Sequence, residues 1–264
     1  MEKIEHIVRK PEKRTRQTPL FFQHGAWHGA WCWSRFLDYF TSLGYEAHAI
    51  SLPGHGASSM HKGHINRYSF RTYVDCMAAE IARVSPAPVV IGHSMGGAII
   101  QKYLETHRPP GAVLLASIPA SGIAGMLVRW FRRHPRSMLQ AVLTLRFYAL
   151  VETPELARQA LLGAGTTVDM ASFHRHLGDE SFLAGIPQIL PTTLQSRKVR
   201  TPVLVLAGDE DSLFTVAEER RTARALHAEF DLFPGQAHNL MMEPAWQQVA
   251  DRIDGWVTGK LGLD

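Results

Sequence analysis

Apolar and polar positions alternate in blocks along the chain, and the blocks change period. Short apolar runs stand at Pro19 to Gln23, Tyr45 to Leu52, Ala87 to Gly92, Ala112 to Ser117, Pro202 to Ala207 and Glu229 to Phe233. Each is strand-length, and most end at Gly or Pro. Between them, apolar residues recur at helical spacing over Cys32 to Leu43, Ser69 to Val84, Met95 to His107, Phe214 to His227 and Glu243 to Lys260. Strands that read as nearly continuous apolar runs are covered on both faces. The alternation therefore predicts an α/β fold with a mostly parallel central sheet and helices on both faces.

One stretch breaks the alternation. Between Pro119 and Leu190 no strand pattern occurs, and Pro135, Pro154 and Pro187 punctuate a helical segment. An insertion between two strands of a parallel sheet is expected to sit over the carboxyl edge. Residues 119–190 thus read as a helical cap on a core made of 1–118 and 191–264. The first half of this cap, Ile123 to Val151, carries Arg129, Arg132, Arg133, Arg136 and Arg146 among apolar residues, with no acid. Such a face can meet lipid or an anionic substrate. It can also simply pack on the body with its arginines in water, which is the usual fate and the expectation here.

Composition narrows the class. The 264 residues are 45% hydrophobic and 20% charged, which is globular composition. At this size roughly 75% of the unfolded surface can be buried, so no metal or disulfide staple is needed. The net charge of +4 is mild, and no dense Lys/Arg run mixed with aromatics suggests nucleic acid. The two cysteines, Cys32 and Cys76, fit no zinc spacing and read as free thiols in a reducing compartment. Met1 to Arg16 alternates charges without an apolar core, and no run of 18 apolar residues occurs. The expectation is a cytoplasmic protein with neither a secretion signal nor a membrane span.

The chemistry concentrates at strand ends. Gly92-His93-Ser94-Met95-Gly96 matches G-x-S-x-G between an apolar strand and a helix. A serine on so tight a turn is forced into strained geometry, and Gly92 and Gly96 leave room for it. The turn lifts the Ser94 hydroxyl from the sheet edge and aims the Met95 N–H at a reacting carbonyl oxygen. A serine hydroxyl needs a base. Of fourteen histidines, His238 is preferred, because it lies on a Gly-containing loop between the last strand and the last helix. The base needs an acid. Gly208-Asp209-Glu210-Asp211 offers three. Asp211 is favoured, because the loop must run past the strand before turning, with Asp209 next and Glu210 last. The order Ser94, Asp211, His238 suits this kind of fold. A second oxyanion donor belongs after an early strand, where His24-Gly25-Ala26-Trp27 stands, and the Ala26 N–H is the choice. Trp27 follows it and is expected to line a substrate pocket, whereas Trp31 and Trp33 are expected to pack in the following helix. His28, His55 and His93 are expected near the pocket mouth in packing or loop hydrogen bonds. His61 and His64 lack further ligands to complete a metal set.

Together these stretches resemble the α/β-hydrolase superfamily over nearly the whole chain. The run from His24 to Trp33 is similar to bacterial esterase-like members and to plant methylesterases and hydroxynitrile lyases. Pro53-Gly54-His55-Gly56-Ala57-Ser58 with Gly92 to Gly97 is more similar to monoacylglycerol lipases and lysophospholipases. The resemblance implies about eight strands, a site at their carboxyl ends and no cofactor. It maps the triad to Ser94, Asp211 and His238 and the oxyanion donors to Ala26 and Met95. Serine rather than aspartate at position 94 disfavours dehalogenase and epoxide hydrolase chemistry. The expected activity is cleavage of a small, partly apolar carboxylic ester through an acyl-enzyme. Thioesterase, lactonase, acyltransferase or lyase chemistry on the same triad, or a ligand receptor on this scaffold, are the alternatives.

Overall fold

The computed structural model describes residues 2–189 and 195–263. Seven strands form one sheet among them: β1 (His6–Arg9), β2 (Leu20–Gln23), β3 (Ala47–Ile50), β4 (Val89–His93), β5 (Ala112–Leu115), β6 (Val203–Gly208) and β7 (Glu229–Phe233). Their order is β1-β3-β2-β4-β5-β6-β7, and every neighbouring pair is parallel except β1 with β3. All six strands read from the sequence are present. The total is seven among the described residues, against the approximate eight expected. The seventh, β1, lies before Pro19, where the strands that the family resemblance implies look short and unusually charged. It is an edge strand with half-buried and exposed positions, so it needs charged residues rather than an apolar run.

Strand periodicity splits the core in two. Phe21 faces one side of the sheet with Ile50, Val90, Leu114 and Val205. There it meets α2 (Phe70–Ile81), α3 (Met95–Tyr103) and α9 (Val216–Ala225). Leu20 and Phe22 face the other side with Ala49, Ile91, Val113 and Leu206. That face packs on α1 (Ser34–Ser42) and α10 (Trp246–Gly255). Helix ends are set locally. Thr215 and Glu218 close a capping box on α9, which starts two residues after the end of the apolar run at Phe214.

The segment after β5 contains five helices and no strand among the described residues: α4 (Ala124–Arg133), α5 (Pro135–Thr144), α6 (Pro154–Leu161), α7 (Met170–His176) and α8 (Phe182–Gly185). Pro135 and Pro154 each begin a helix, where a missing N–H costs nothing. Pro187 lies in a 3-10 turn. The cap boundary expected at 190 falls outside the described residues. Met126 and Trp130 of α4 and Met138 of α5 turn inward to the core. Arg129 is drawn into an ion pair with Glu218, and Arg146 into one with Asp179. The outer faces of α4 and α5 are not purely polar, since Val128, Phe131, Leu139 and Leu143 are exposed beside Arg132, Arg133 and Arg136.

Chain order fixes where a site can form. From β2 the chain goes outward to β3 and then crosses to β4 on the other side of β2. The loops after β2 and β4 therefore diverge at the carboxyl edge, which opens a crevice in open parallel sheets. Trp33, Phe36 and Phe40 surround the Phe22 ring, with centroids 5.1, 6.2 and 5.7 Å away. Phe22→Ala should cost about 3–5 kcal/mol in urea unfolding. A loss below about 1 kcal/mol would mean that this face is not a close-packed core.

Candidate active site

Ser94 sits between β4 and α3 with φ 52° and ψ −118°. For a side chain larger than hydrogen this is left-handed, strained backbone. The two flanking glycines make it feasible, though not by clearing the serine itself. A Cβ on Gly92 would lie 2.6 Å from the Gly96 carbonyl oxygen, and one on Gly96 would lie 2.4 Å from that of Gln23. They let β4, α3 and the loop after β2 close on one another. Gly25 does approach the serine, since a Cβ there would lie 2.7 Å from the Ser94 Cβ. The loop after β2 is thereby pressed against the candidate nucleophile.

Asp211 and His238 meet. His238 Nδ1–H donates to Asp211 Oδ2 at 2.8 Å, and both side chains are buried. The other carboxylate oxygen, Oδ1, accepts from the N–H groups of Leu213 and Phe214 at 2.8 and 3.1 Å, so the acid cannot swing away. The competing acids are occupied elsewhere or face away. Asp209 accepts from the Gly235 N–H at 2.6 Å and braces the turn before His238, and Glu210 is exposed. His238 Nε2 is buried without a hydrogen-bond partner among the described residues. The bond between His238 and Ser94 is thus not closed. The chain neighbour of Ser94 does reach this histidine: the His93 ring packs on the His238 ring with centroids 4.7 Å apart.

Neutral imidazoles brace the loops around Ser94. The Leu52 N–H donates to His24 Nε2 at 2.9 Å, so Nδ1 carries the hydrogen and donates to the Gly25 carbonyl at 2.7 Å. Gly25 C=O and Ala26 N–H belong to one peptide and point oppositely. His24 therefore sets the direction of the Ala26 N–H. His93 Nε2–H donates to the His238 carbonyl at 3.1 Å. Burial, reinforced by neighbouring imidazoles, pushes His24 and His93 well below the ordinary histidine range.

Ser94, Met95, Ala26 and Trp27 line one pocket of about 490 Å³ of empty volume. The insertion closes it with Ile123, Met126, Phe147 and Leu150. Leu213, Phe214 and Ile118 complete an almost entirely apolar wall. The Trp27 ring is buried there, and its Nε1–H donates to the Phe147 carbonyl at 3.2 Å. Trp33 packs in the core and Trp31 stacks on His28, with centroids 5.3 Å apart.

Three polar groups escaped the sequence reading. Glu180 of the insertion lines the pocket, yet accepts from His55 Nε2 at 3.1 Å, Tyr73 OH at 3.2 Å and the Ser181 N–H at 2.6 Å. Burial would lower His55, but the Glu180 carboxylate outweighs it and raises the imidazole above its ordinary value. Glu243, after His238, accepts the Gly163 N–H at 2.9 Å, which ties the histidine loop to the insertion. Glu219 is buried with neither oxygen bonded among the described residues; burial, with Asp211 and Glu218 pushing the same way, lifts it well above the carboxylate range. No spacing rule marks any of the three: Glu180 and Glu243 act through partners distant in sequence, and Glu219 is set apart by burial alone. Among the described residues no cluster of His, Cys, Asp or Glu is arranged to hold a metal ion, both cysteines are free, and no helix is long and apolar enough to cross a membrane.

The elbow serine and the crevice at the sheet's carboxyl edge define a class, and comparison gives the same one. Residues 20–252 match the Alpha/beta hydrolase family, and the chain belongs to it. It is 26% identical to a monoacylglycerol lipase of Mycolicibacterium smegmatis over 90% of this chain and 87% of that protein. It is 35% identical to the phospholipase YtpA of Bacillus subtilis over a shorter stretch, 38% of this chain and 39% of that one. An esterase from Thermogutta terrifontis has the same fold, with a TM-score of 0.74 at 16% identity over 98% of this chain and 93% of that one.

The buried histidines carry a pH dependence of definite sign. His28 is pushed down to about 4 by burial, and His24 and His93 are also lowered. The unfolded chain binds protons at these histidines near pH 6.5, where the folded chain does not. Their contribution to stability is complete above about pH 6.5 and is lost as pH falls from there toward 4. Urea unfolding should show stability falling across that window. His93→Gln should flatten the fall, and an unchanged slope in that variant would contradict a neutral buried His93.

Proposed function

We propose that the protein is a serine hydrolase that cleaves carboxylic esters with a partly apolar substrate portion through an acyl-enzyme. One observation carries the reading: Asp211 holds His238 by Nδ1 and leaves Nε2 buried with no partner among the described residues, while the His238 ring packs on His93, the residue before the elbow serine. The lipase and phospholipase relatives support ester bonds as the target. The apolar pocket beside Ser94 supports a hydrocarbon portion.

In this reading Ser94 Oγ attacks the ester carbon as its proton passes to His238 Nε2. The carbonyl electron pair moves onto oxygen, which the Ala26 and Met95 N–H groups hold. Asp211 stabilises the imidazolium. The intermediate collapses, the alkoxide leaves with the proton from His238, and the acyl group stays on Ser94. Water, deprotonated by the same imidazole, then releases the acid and restores the serine. No cofactor enters. Residues 119–190 act as the cap that shapes the pocket over a core of 1–118 and 191–264, with Trp27 contacting the substrate.

Ser94→Ala should lower kcat on p-nitrophenyl butyrate about a millionfold and abolish fluorophosphonate labelling. Hydrolysis by this variant at the wild-type rate would overturn the mechanism. Asp211→Asn should lower kcat about ten-thousandfold, while Asp209→Asn stays within a few-fold of wild type. The reverse ranking would reassign the acid.

A further inference from the structure

The loop that would supply the second oxyanion donor is held in an unfavourable shape. Trp27 has φ 64°, left-handed backbone in a bulky residue. Such a conformation persists only where surrounding bonds over-determine it. Two bonds bracket it. The Gly178 N–H of the insertion donates to the Trp27 carbonyl at 2.8 Å. On the other side, His28 Nδ1 lies 2.7 Å from the Ala26 carbonyl oxygen, the acceptor of the peptide that ends at Trp27 N. A carbonyl only accepts, so Nδ1 carries the hydrogen and Nε2 offers a lone pair.

That lone pair is taken. Asn239 Nδ2 lies 3.1 Å from His28 Nε2, and both residues are buried. With Nε2 an acceptor, the amide must present its NH2 group. Asn239 directly follows His238, and its own N–H donates to the Leu161 carbonyl of α6 at 2.9 Å. The His28 ring is further confined by Trp31, stacked at 5.3 Å, and by His93, edge-on at 5.7 Å. One neutral imidazole thus spans the loop after β2 and the loop bearing His238, and each of its nitrogens is used once.

We propose that His28 is a positioning residue, coupled through Asn239, that locks the oxyanion loop and the general-base loop into one frame. The inference rests on the serine-hydrolase reading. It assigns His28 no contact with substrate. Without the bridge, the Ala26–Trp27 peptide, which adjoins the one that His24 holds, is free to turn, and that turn tilts the Ala26 N–H off the position that the oxyanion takes in the transition state. The Trp27 ring stays in the pocket wall through its Nε1–H bond to the Phe147 carbonyl, so the apolar pocket changes less than the oxyanion position. The loss therefore falls on kcat rather than on KM.

The two arms can be separated chemically. Asparagine at 28 places an amide N–H near the Nδ1 position and keeps the bond to Ala26. Glutamine places an amide oxygen near the Nε2 position and keeps the bond from Asn239. With p-nitrophenyl butyrate, His28→Phe should lower kcat about a hundredfold, comparable to loss of one oxyanion donor, with KM within about threefold. His28→Asn and His28→Gln should each recover part of that loss. Asn239→Leu should lower kcat in the same way, and His28→Phe combined with Asn239→Leu should be no worse than His28→Phe alone. A folded His28→Phe with kcat within about threefold of wild type overturns the proposal, as does a double variant whose losses multiply. If His28→Phe does not fold by circular dichroism, Asn239→Leu decides alone, and unchanged kcat there overturns it. Failure of the functional reading looks different: wild type and Ser94→Ala would then hydrolyse the ester equally.

Discussion

A serine at φ 52° has to be wedged between elements that leave its backbone no alternative, and the rest of the site depends on that wedge. The turn is tight because β4 and α3 meet with only glycines at the crossing, and because the loop after β2 lies directly against it. Strain of this kind costs about 1–3 kcal/mol and must be offset by packing elsewhere. The offset comes from the two apolar layers on either side of the central strands, where Phe21, Phe22, Val90 and Ile91 are wholly buried. A rigid sheet edge is what allows a hydroxyl to be held at a fixed point instead of swinging on a loop.

Around that point the protein uses imidazoles in two opposite electrostatic states. His24, His28 and His93 are buried among one another, and desolvation keeps them neutral. A neutral imidazole carries one donor and one acceptor, which suits it to hold a backbone carbonyl on one side and receive a hydrogen on the other. His55 is equally buried but faces the Glu180 carboxylate, and that ion pair joins the turn after β3 to the insertion. The cap side of the pocket is therefore fastened by charge, whereas the loops beside Ser94 are fastened by neutral hydrogen bonds. The Asp211–His238 pair is a further buried polar contact, between the loop after β6 and the loop after β7.

The sequence carried the sheet's interior and one edge, β7, more clearly than the other edge, β1. Strands buried on both faces must be apolar throughout, so β2 to β6 announce themselves, and β7 does so by length and flanks. The first strand borrows its hydrogen bonds from β3 while its side chains stay partly wet, and no hydrophobic pattern is then required. The same logic separates the site residues. Ser94 and Gly96 are legible because a local turn demands them. Asp211 was separable from Asp209 only as a preference, since both sit on the same loop. Glu180, Glu243 and the roles of His28 and His93 were not legible, because each is defined by a partner from 80 to 211 residues away in the chain.

By itself, then, the order of residues determined what short-range sterics and periodicity can enforce: alternating strands and helices, a tight G-x-S-x-G turn between β4 and α3, and the chain order of Ser94, Asp211 and His238. Tertiary structure decided which carboxylate faces His238, which tautomer each buried histidine adopts, and how the insertion's apolar side chains close over Ser94. Those outcomes depend on desolvation and on the meeting of distant loops. Neither quantity has a local signature, because burial and hydrogen-bond partnership belong to the assembled core rather than to any window of sequence.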